Sequence, residues 1–490
     1  MAIKGGQIVH VGNNAVLLDR LQTAGPGTVN IRRETIYELG NYQSVGQVSD
    51  IPDLSFTLES FDVSCAMEAF LADKDVKSTH LYDLAASRVV NLKSAFKPGQ
   101  QAPAPFDSVG SAAVPCLRLE SVSYRFGIGN NNARQTATLK GDSLYYNPGS
   151  TYIQKVAGSG AAGQVIVTDH PAYAITEAGV QRRTLAITAG ERRLLQGVDY
   201  TETYGAITNG AAVATITLVD AVAATDNVYV TYASPDVETF PQSVHALVSG
   251  ISGTITAAAA AGATSLTTDV ELAAGQVIIL DDVPGSAVTE VVVVGTVSGS
   301  GPYTVNLVNA TVNAHASGAD VAVYVPTVKP AAIRGRDIDV FVGPAGAAGS
   351  APADVIGTKR HGVQSAQVDW KVTLQNDEEF GNYHYVNIDF DVPEVSGSVE
   401  FKPQTYADLL KLMQDISGVS DPLQSANATD QPLLDVQIVL KNPVDGRVLK
   451  RLHIPDARFS LPGYSGRVQQ KLDFTAAFNS DRGELNIYDS

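Results

Sequence analysis

Alternating apolar and polar residues are the commonest pattern along this chain of 490 residues. In residues 214–218 and 228–232 every second side chain is apolar, as expected for a strand that buries one face. Helical spacing of apolar residues occurs in two short segments, residues 63–72 and 406–416. The pattern predicts a mainly β fold with two short helices.

A sequence repeat links two distant parts of this pattern. Residues 38–59 align without a gap with residues 379–400, and nine of the 22 positions are identical. Chance is a poor explanation for such agreement over one ungapped stretch. The identical residues in the earlier segment are Glu38, Gly40, Asn41, Tyr42, Val45, Asp50, Pro52, Ser55 and Glu59.

We therefore predict two copies of one domain, a first copy at residues 1–149 and a second copy at residues 330–490. In each copy a strand that ends on glycine comes before the repeat, a helical segment follows it, and a strand pair ends the copy. The predicted pairs are 117–126 with 133–139 and 458–461 with 468–474, joined by glycine-containing turns. Each copy should form a β-sandwich with one flanking helix, because a sheet must cover its apolar face.

The stretch between the copies is rich in Ala, Gly, Thr and Val and contains further strand-like segments. We predict two small all-β modules, module 1 at residues 150–243 and module 2 at residues 244–329. An insertion between two domains can be looped out on a surface at small entropic cost. Both modules are therefore expected to be dispensable decoration on the outer side of an assembly.

Charged residues make up 17% of the chain, below the usual quarter, which suits a protein that hides much of its surface in an assembly. The net charge of −17 argues against binding to nucleic-acid phosphates, which requires lysine and arginine. Cys65 and Cys116 are too few for a disulfide framework. No stretch has the apolar run of a signal peptide or a membrane helix, so assembly in a cytoplasm is expected.

No catalytic, cofactor-binding or metal site is predicted, and we expect the protein not to be an enzyme. Residues 158–163 match GxGxxG, yet a strand-like segment follows where a dinucleotide site needs a helix. A loop is the better interpretation of this segment. The eight histidines show no spacing typical of metal ligands, and the chain has no Cys-x-x-Cys.

The polar positions that the sequence repeats are candidates for contacts between subunits. A catalytic group rarely needs duplication in one chain, whereas a surface for self-association does. Proline directs the chain into an extended path before the next strand, so an equally open interpretation is that these residues only shape the hairpin. The candidates are Glu38, Asp50 and Pro52 in the first copy and Glu379, Asp391 and Pro393 in the second.

These segments resemble the major tail tube proteins of long-tailed bacteriophages. The likeness lies in Gly40-Asn41-Tyr42, in residues 50–59 (DIPDLSFTLE) and in residues 133–142 (ARQTATLKGD), and it covers the two copies. In that family a β-sandwich with one flanking helix and a long hairpin joins its neighbours edge to edge into a ring. Most members have one copy and form hexamers. A tandem copy resembles the minority in which three chains form a ring with pseudo-sixfold symmetry.

The resemblance implies a structural virion protein without cofactors, whose stacked rings form a tail tube. The implied partners are further copies of the chain, a tape measure protein, a tail terminator and distal tail or baseplate proteins. The genome would pass the lumen without specific binding, since acidic residues there would repel its phosphates. Outward modules would obstruct a sliding sheath, so the tail is expected to be non-contractile.

Three other interpretations remain open at this point. A surface adhesin built of β-sandwich modules would explain the insertion but is expected to carry a signal peptide. A carbohydrate-active enzyme with accessory modules would need paired carboxylates among aromatic rings, and the chain has one tryptophan. A sheath or baseplate component lies closest to the tube interpretation.

Overall fold

The computed structural model of the chain is mainly β, which confirms the predicted fold class. Within the ranges that it describes, no helix is long and apolar enough to cross a membrane. The structure describes residues 7–11, 16–17, 21–30, 33–36, 46–49, 51–61, 67–68, 71, 78–86, 89–96, 106–107, 110–128, 133–177, 180–237, 239–240, 252–272, 277–281, 290–307, 310–311, 313–323, 333, 335–344, 358–377, 384–385, 387–403, 405, 407, 410, 414, 432–441, 448–460, 463–465 and 473–489.

The first copy contains twelve strands in these ranges, together with the short helix α1. They are β1 Gln7–Val11, β2 Val16–Leu17, β3 Leu21–Asn30, β4 Arg33–Ile36, β5 Gly46–Ser49, β6 Asp53–Ser60, β7 Ser78–His80, α1 Leu81–Ala86, β8 Val90–Phe96, β9 Phe106–Asp107, β10 Ser111–Gly127, β11 Arg134–Gly141 and β12 Tyr145–Asn147.

Module 1 is described by β13 Ser150–Ala157, β14 Val165–Val167, β15 Ala172–Tyr173, β16 Ile175–Glu177, β17 Val180–Arg182, β18 Ala186–Ala189, β19 Arg192–Leu194, β20 Tyr200–Tyr204, β21 Ala211–Ala212, β22 Ala214–Leu218, β23 Asn227–Ser234 and β24 Thr239–Phe240. Module 2 is described by β25 Ser252–Thr254, β26 Ser265–Thr268, β27 Val277–Leu280, β28 Glu290–Ser298, β29 Tyr303–Leu307 and β30 Asp320–Val323. Each module has a hydrophobic core of its own. The GxGxxG segment is a loop between β13 and β14, as predicted.

The second copy begins its described part with a 3-10 helix, Gly335–Asp337. Its strands are β31 Ile338–Pro344, β32 Thr358–Lys359, β33 Val363–Lys371, β34 Leu374–Asp377, β35 Asn387–Phe390, β36 Glu394–Phe401, β37 Leu434–Lys441, β38 Val448–Phe459, β39 Gly463–Ser465, β40 Asp473–Ser480 and β41 Asn486–Asp489.

The two copies share one order of paired strands. In the first copy the order is β2–β1–β8–β10–β11–β6–β3, and in the second it is β32–β31–β37–β38–β40–β36–β33. The hairpin β4–β5 corresponds to β34–β35, because Arg33 opposes Ser49 as Leu374 opposes Phe390, 341 residues further along the chain. The repeat in sequence is therefore also a repeat of strand register.

An unusual backbone conformation recurs at equivalent places. Cys116 and Asp456 have positive φ angles of 59° and 50°, and they lie 340 residues apart in β10 and β38. A residue other than glycine rarely adopts this conformation, since its Cβ crowds the backbone. The strand register shifts next to both residues, between Val114 and Leu117 and between Leu434 and Val436. The bend therefore recurs at the equivalent position of β10 and β38.

The copies fill equivalent core positions with different side chains. Phe56 on β6 opposes Leu139 on β11, whereas Gly397 on β36 opposes Phe478 on β40 at the same register. A Cβ on Gly397 would lie 2.3 Å from the Phe478 ring. The aromatic ring is therefore carried by β6 in the first copy and by β40 in the second. In the second copy, Gly397 leaves the space that the Phe478 ring occupies.

The predicted elements near the ends of the copies are partly confirmed. Met67, Glu68 and Leu71 are helical and buried. In the second copy Ala407, Leu410 and Gln414 are helical, and the other residues of both predicted helices lie outside the described residues. The hairpin of β10 and β11 is as predicted. The prediction that residues 458–461 pair with residues 468–474 was wrong. The end of β38 pairs with β40, where Phe459 opposes Phe478, and part of the predicted turn forms the strand β39.

Candidate functional site: the joint between the two copies

The two copies join edge to edge in one sheet. β10 pairs along part of its length with β11 of its own copy and, on the other side, with β33 of the second copy. The cross-copy register runs from Ser121 opposite Lys371 to Gly127 opposite Ser365. Backbone hydrogen bonds of this kind are the usual way in which one sheet edge recruits another. This pairing joins two unlike edges of equivalent domains.

A shared hydrophobic core lies beneath this joint. Side chains of both copies form a single cluster, which includes Leu54 and Leu139 of the first copy and Val436 and Ile487 of the second. Three cross-strand pairs of the joint are at least 96% buried: Val122 with Trp370, Tyr124 with Val368, and Phe126 with Ala366. The joint therefore has the character of a protein interior, and Trp370 is a core residue as its alternating strand predicts.

A buried ion pair also crosses the joint. Glu68 of the first copy and Lys450 of the second form a salt bridge, and both side chains are almost completely buried. Gln135 Nε2 donates to Glu68 Oε1 at 2.6 Å, and Lys450 Nζ donates to Gln135 Oε1 at 3.2 Å and lies 4.6 Å from the centre of the Tyr124 ring. Such partners offset part of the cost of burying the two charges, and the cluster links the two copies.

The end of the chain returns to the first copy. β41 pairs with β7, with Asn486 opposite His80, and the Leu81 N–H donates to the Leu485 carbonyl oxygen at 3.1 Å. On its other side β41 pairs with β38 of the second copy. The joint between the copies is therefore made at two places far apart in sequence.

Asp142 is the meeting point of three parts of the chain. It lies just after β11 in the first copy, and its Oδ1 accepts a hydrogen bond from Arg193 Nη1 of module 1 at 3.3 Å. Its other oxygen, Oδ2, lies 3.2 Å from His384 Nδ1 and accepts the Tyr385 N–H at 3.0 Å, both from the second copy. Ser143 contacts Asp142, His384 and Arg193 as well. The cluster anchors module 1 where the two copies meet.

The surroundings of Asp142 favour its charged form. Burial raises the pKa of this carboxyl, but the hydrogen bond from His384 and the positive charge of Arg193 outweigh burial, so the pKa lies below its ordinary value. The repeat does not mark Asp142, and the sequence offers no signal for its long-range partners. Its position at the end of the motif of residues 133–142 is the only hint.

The six predicted contact residues are not brought together by the described structure. Glu38, Asp50 and Glu379 lie outside the described residues. Pro52 and Pro393 are half-buried and immediately precede β6 and β36. Asp391 is exposed, accepts a hydrogen bond from Gln375 Nε2 at 3.0 Å, and donates its N–H to the Thr373 carbonyl oxygen at 3.0 Å. These contacts shape the approach to β36, and a role between subunits stays a prediction.

Module 1 contains a cleft beside β19. Its volume is about 260 Å³, and three carboxylates, Asp199, Asp220 and Asp226, line it beside Arg192. Arg192 Nη1 lies 3.1 Å from Asp199 Oδ1. No aromatic residue is among those that line the cleft, so it lacks the ring platform that a sugar-cleaving site is expected to offer. In the described ranges no group of three or more His, Cys, Asp or Glu side chains is placed to hold a metal ion.

Comparison with models of protein families and with characterised proteins finds no match for this chain.

Proposed function

We propose that the chain is a self-assembling structural subunit that forms rings, and that the rings stack into the tail tube of a bacteriophage. The observation that carries the proposal is the edge-to-edge joint of β10 and β33 between two copies of one fold. The joint is heterologous, because it uses a different edge of each copy. A contact of this type can repeat from chain to chain until it closes into a ring.

Three chains would supply six copies to such a ring, as the resemblance to duplicated tube proteins suggests. The low content of charged residues is consistent with large buried contacts between rings. The net charge of −17 is consistent with a lumen that lets the genome slide without binding it. The further copies of the chain, the tape measure protein, the terminator and the distal tail proteins are the proposed partners, and the virion tail is the proposed location.

Electron microscopy and native mass spectrometry of the purified chain test this proposal together. We expect hollow rings of three chains at low concentration and stacked tubes at high concentration. A protein that remains monomeric at high concentration would contradict the proposed function. Rings of six chains would contradict the stoichiometry, and a solved assembly with a basic inner wall would contradict the argument about the lumen.

A further inference from the structure

Among the described strands, one of two equivalent edges is joined to a further strand and the other is not. β33 lies between β36 and β10, whereas its equivalent β3 pairs with β6 alone among the described strands. The equivalence follows from register, because Asn30 opposes Asp53 as Lys371 opposes Glu394, 341 residues further on. The second copy therefore receives an edge from the first, while β3 offers the same kind of edge with no described strand beside it.

The strand that would receive β3 is also present. β10 continues past its bend to pair with β11 on one side and β33 on the other, and the second-copy equivalent of this part is β39. Arg125 opposes Arg134, the first residue of β11, and Ser465 opposes Asp473, the first residue of β40. Among the described strands β39 pairs with β40 alone. β3 and β39 are thus the equivalents of β33 and β10, the two strands that pair with each other inside the chain.

The side chains of β3 are more exposed than the equivalent side chains of β33, as expected for an edge strand that lacks a second neighbour. Val29 is 37% exposed, although its equivalent Trp370 is 1% exposed. Ala24 and Pro26 are half-buried, while the residues at their register positions in β33, Ala366 and Val368, are fully buried. Pro26 offers no N–H, a feature that keeps an edge strand from pairing indiscriminately. The apolar side of β3 remains partly open to solvent within a single chain.

We propose that β3 of one chain pairs with β39 of the next chain, in the register in which β33 pairs with β10. The partner is a second copy of this chain, and the contact continues the existing sheet from chain to chain. Because Gln367 opposes Arg125 inside the chain, Gly25 should oppose Ser465 of the neighbour. This inference rests on the proposed ring-forming function and specifies which edges make the ring.

A disulfide between chains tests this register. Directly opposed residues in antiparallel strands have Cα atoms about 4.5–5.5 Å apart, within the range that a disulfide spans. A Cβ on Gly25 would have no atom within 4 Å, so cysteine fits there. Under mild oxidation we expect the double variant Gly25→Cys/Ser465→Cys to form linked dimers and trimers on a non-reducing gel, in at least tenfold excess over either single variant.

Two matched variants control the experiment. Gln367→Cys/Arg125→Cys places the same pair inside one chain and should close without joining chains. Thr23→Cys/Ser465→Cys shifts the register by two residues, to a diagonal of about 7–8 Å, and should link several-fold less. The native Cys116 is buried with its thiol pKa raised to about 11, so it should stay unreactive.

Microscopy of the same samples separates the possible outcomes. Rings whose chains do not link at Gly25 and Ser465 would overturn the proposed joint and leave the ring-forming function intact. Linked chains without stacked tubes would support the joint and count against the tube. Hydrogen exchange of the unmodified protein gives an independent measurement, since the amides of residues 23–30 and 463–465 should gain protection when rings form. Unchanged exchange there in rings would also overturn the joint.

Discussion

Module 1 and module 2 are both small β-structures inserted at one place in the chain, but they are attached to it differently. Module 1 packs Leu185 and Ala233 against Ala113 of the first copy. It also places Arg193 on Asp142. The hydrogen bonds and core contacts described for module 2 join its own residues to one another, as in the pair of His315 with Asp281. Among the described residues, the two modules thus differ in their contacts with the main body.

This comparison revises the expectation that both modules are dispensable. Asn91 Nδ2 donates to Thr188 Oγ1 at 2.9 Å with both residues buried, and Ser111 Oγ lies 2.8 Å from Thr151 Oγ1. Removing module 1 would expose such groups of the body, and the apolar side chains beside them, to solvent, and each lost hydrogen bond contributes about 0.5–1.5 kcal/mol. Removing module 2 breaks none of these contacts.

Deleting each module separately should give the largest effect. With residues 244–329 replaced by a Gly/Ser linker, we expect the unfolding temperature of the body and its assembly to stay close to those of the full chain. With residues 150–243 replaced instead, the body should be insoluble or unfold well below the full chain. Calorimetry and microscopy measure both. Equal stability of the two deletion variants would contradict the inference that module 1 stabilises the main body more than module 2 does.

Removing the anchor of module 1 by Asp142→Ala should be the most damaging single substitution of this set. It leaves Arg193 buried without its counter-charge, which typically costs about 3–5 kcal/mol. The matched control is Asn306→Ala in module 2, whose side chain hydrogen-bonds to Thr296 at the surface and whose loss should cost within about 0.5 kcal/mol. Denaturant unfolding measures both. A loss below about 1 kcal/mol for Asp142→Ala would show that the anchor is not important.

Acid should weaken the attachment of module 1 through the same carboxyl. The pKa of Asp142 is lower in the folded protein than in the unfolded chain, where it is about 3.9. The stabilisation is therefore fully present above the unfolded pKa and is lost as the pH falls through the lower folded pKa. We expect wild-type stability to fall more steeply between pH 5 and pH 2 than that of Asp142→Asn. Parallel pH profiles of the two proteins would refute this assignment.

The smallest effect is expected from Thr188→Val, which keeps the shape of the side chain but removes the hydroxyl that faces Asn91. The Asn91 amide, which also accepts the Cys116 N–H at 3.0 Å, would lose one buried hydrogen bond, a cost of about 1–2 kcal/mol. Thr296→Val, the exposed counterpart in module 2, should change the free energy of unfolding by less than about 0.5 kcal/mol. If the two substitutions cost the same, burial of this contact has no energetic consequence.

The sequence by itself determined the mainly β fold and the repeat. Alternation of side chains is a local property, so Leu54, Phe56 and Leu58 on β6 mark the buried face without knowledge of the partner strands. The same holds for Val395 and Val399 on β36, whose burial follows the same phase. The identical register of the two hairpins follows from a repeat that could be read directly from the residues.

Only the tertiary structure decided which edges meet. Every residue type except proline can both donate and accept a backbone hydrogen bond, so nothing in β10 or β33 identifies the other as its neighbour. The partners of Asp142 come from module 1 and from the second copy, and chain separations of 51 and 242 residues carry no local signal. The second hairpin was predicted with the wrong partner for the same reason, since an apolar stretch near a turn does not specify its register. The alternation of apolar and polar residues determines which face of each strand is buried, whereas the packing of the assembled core determines which strands become neighbours.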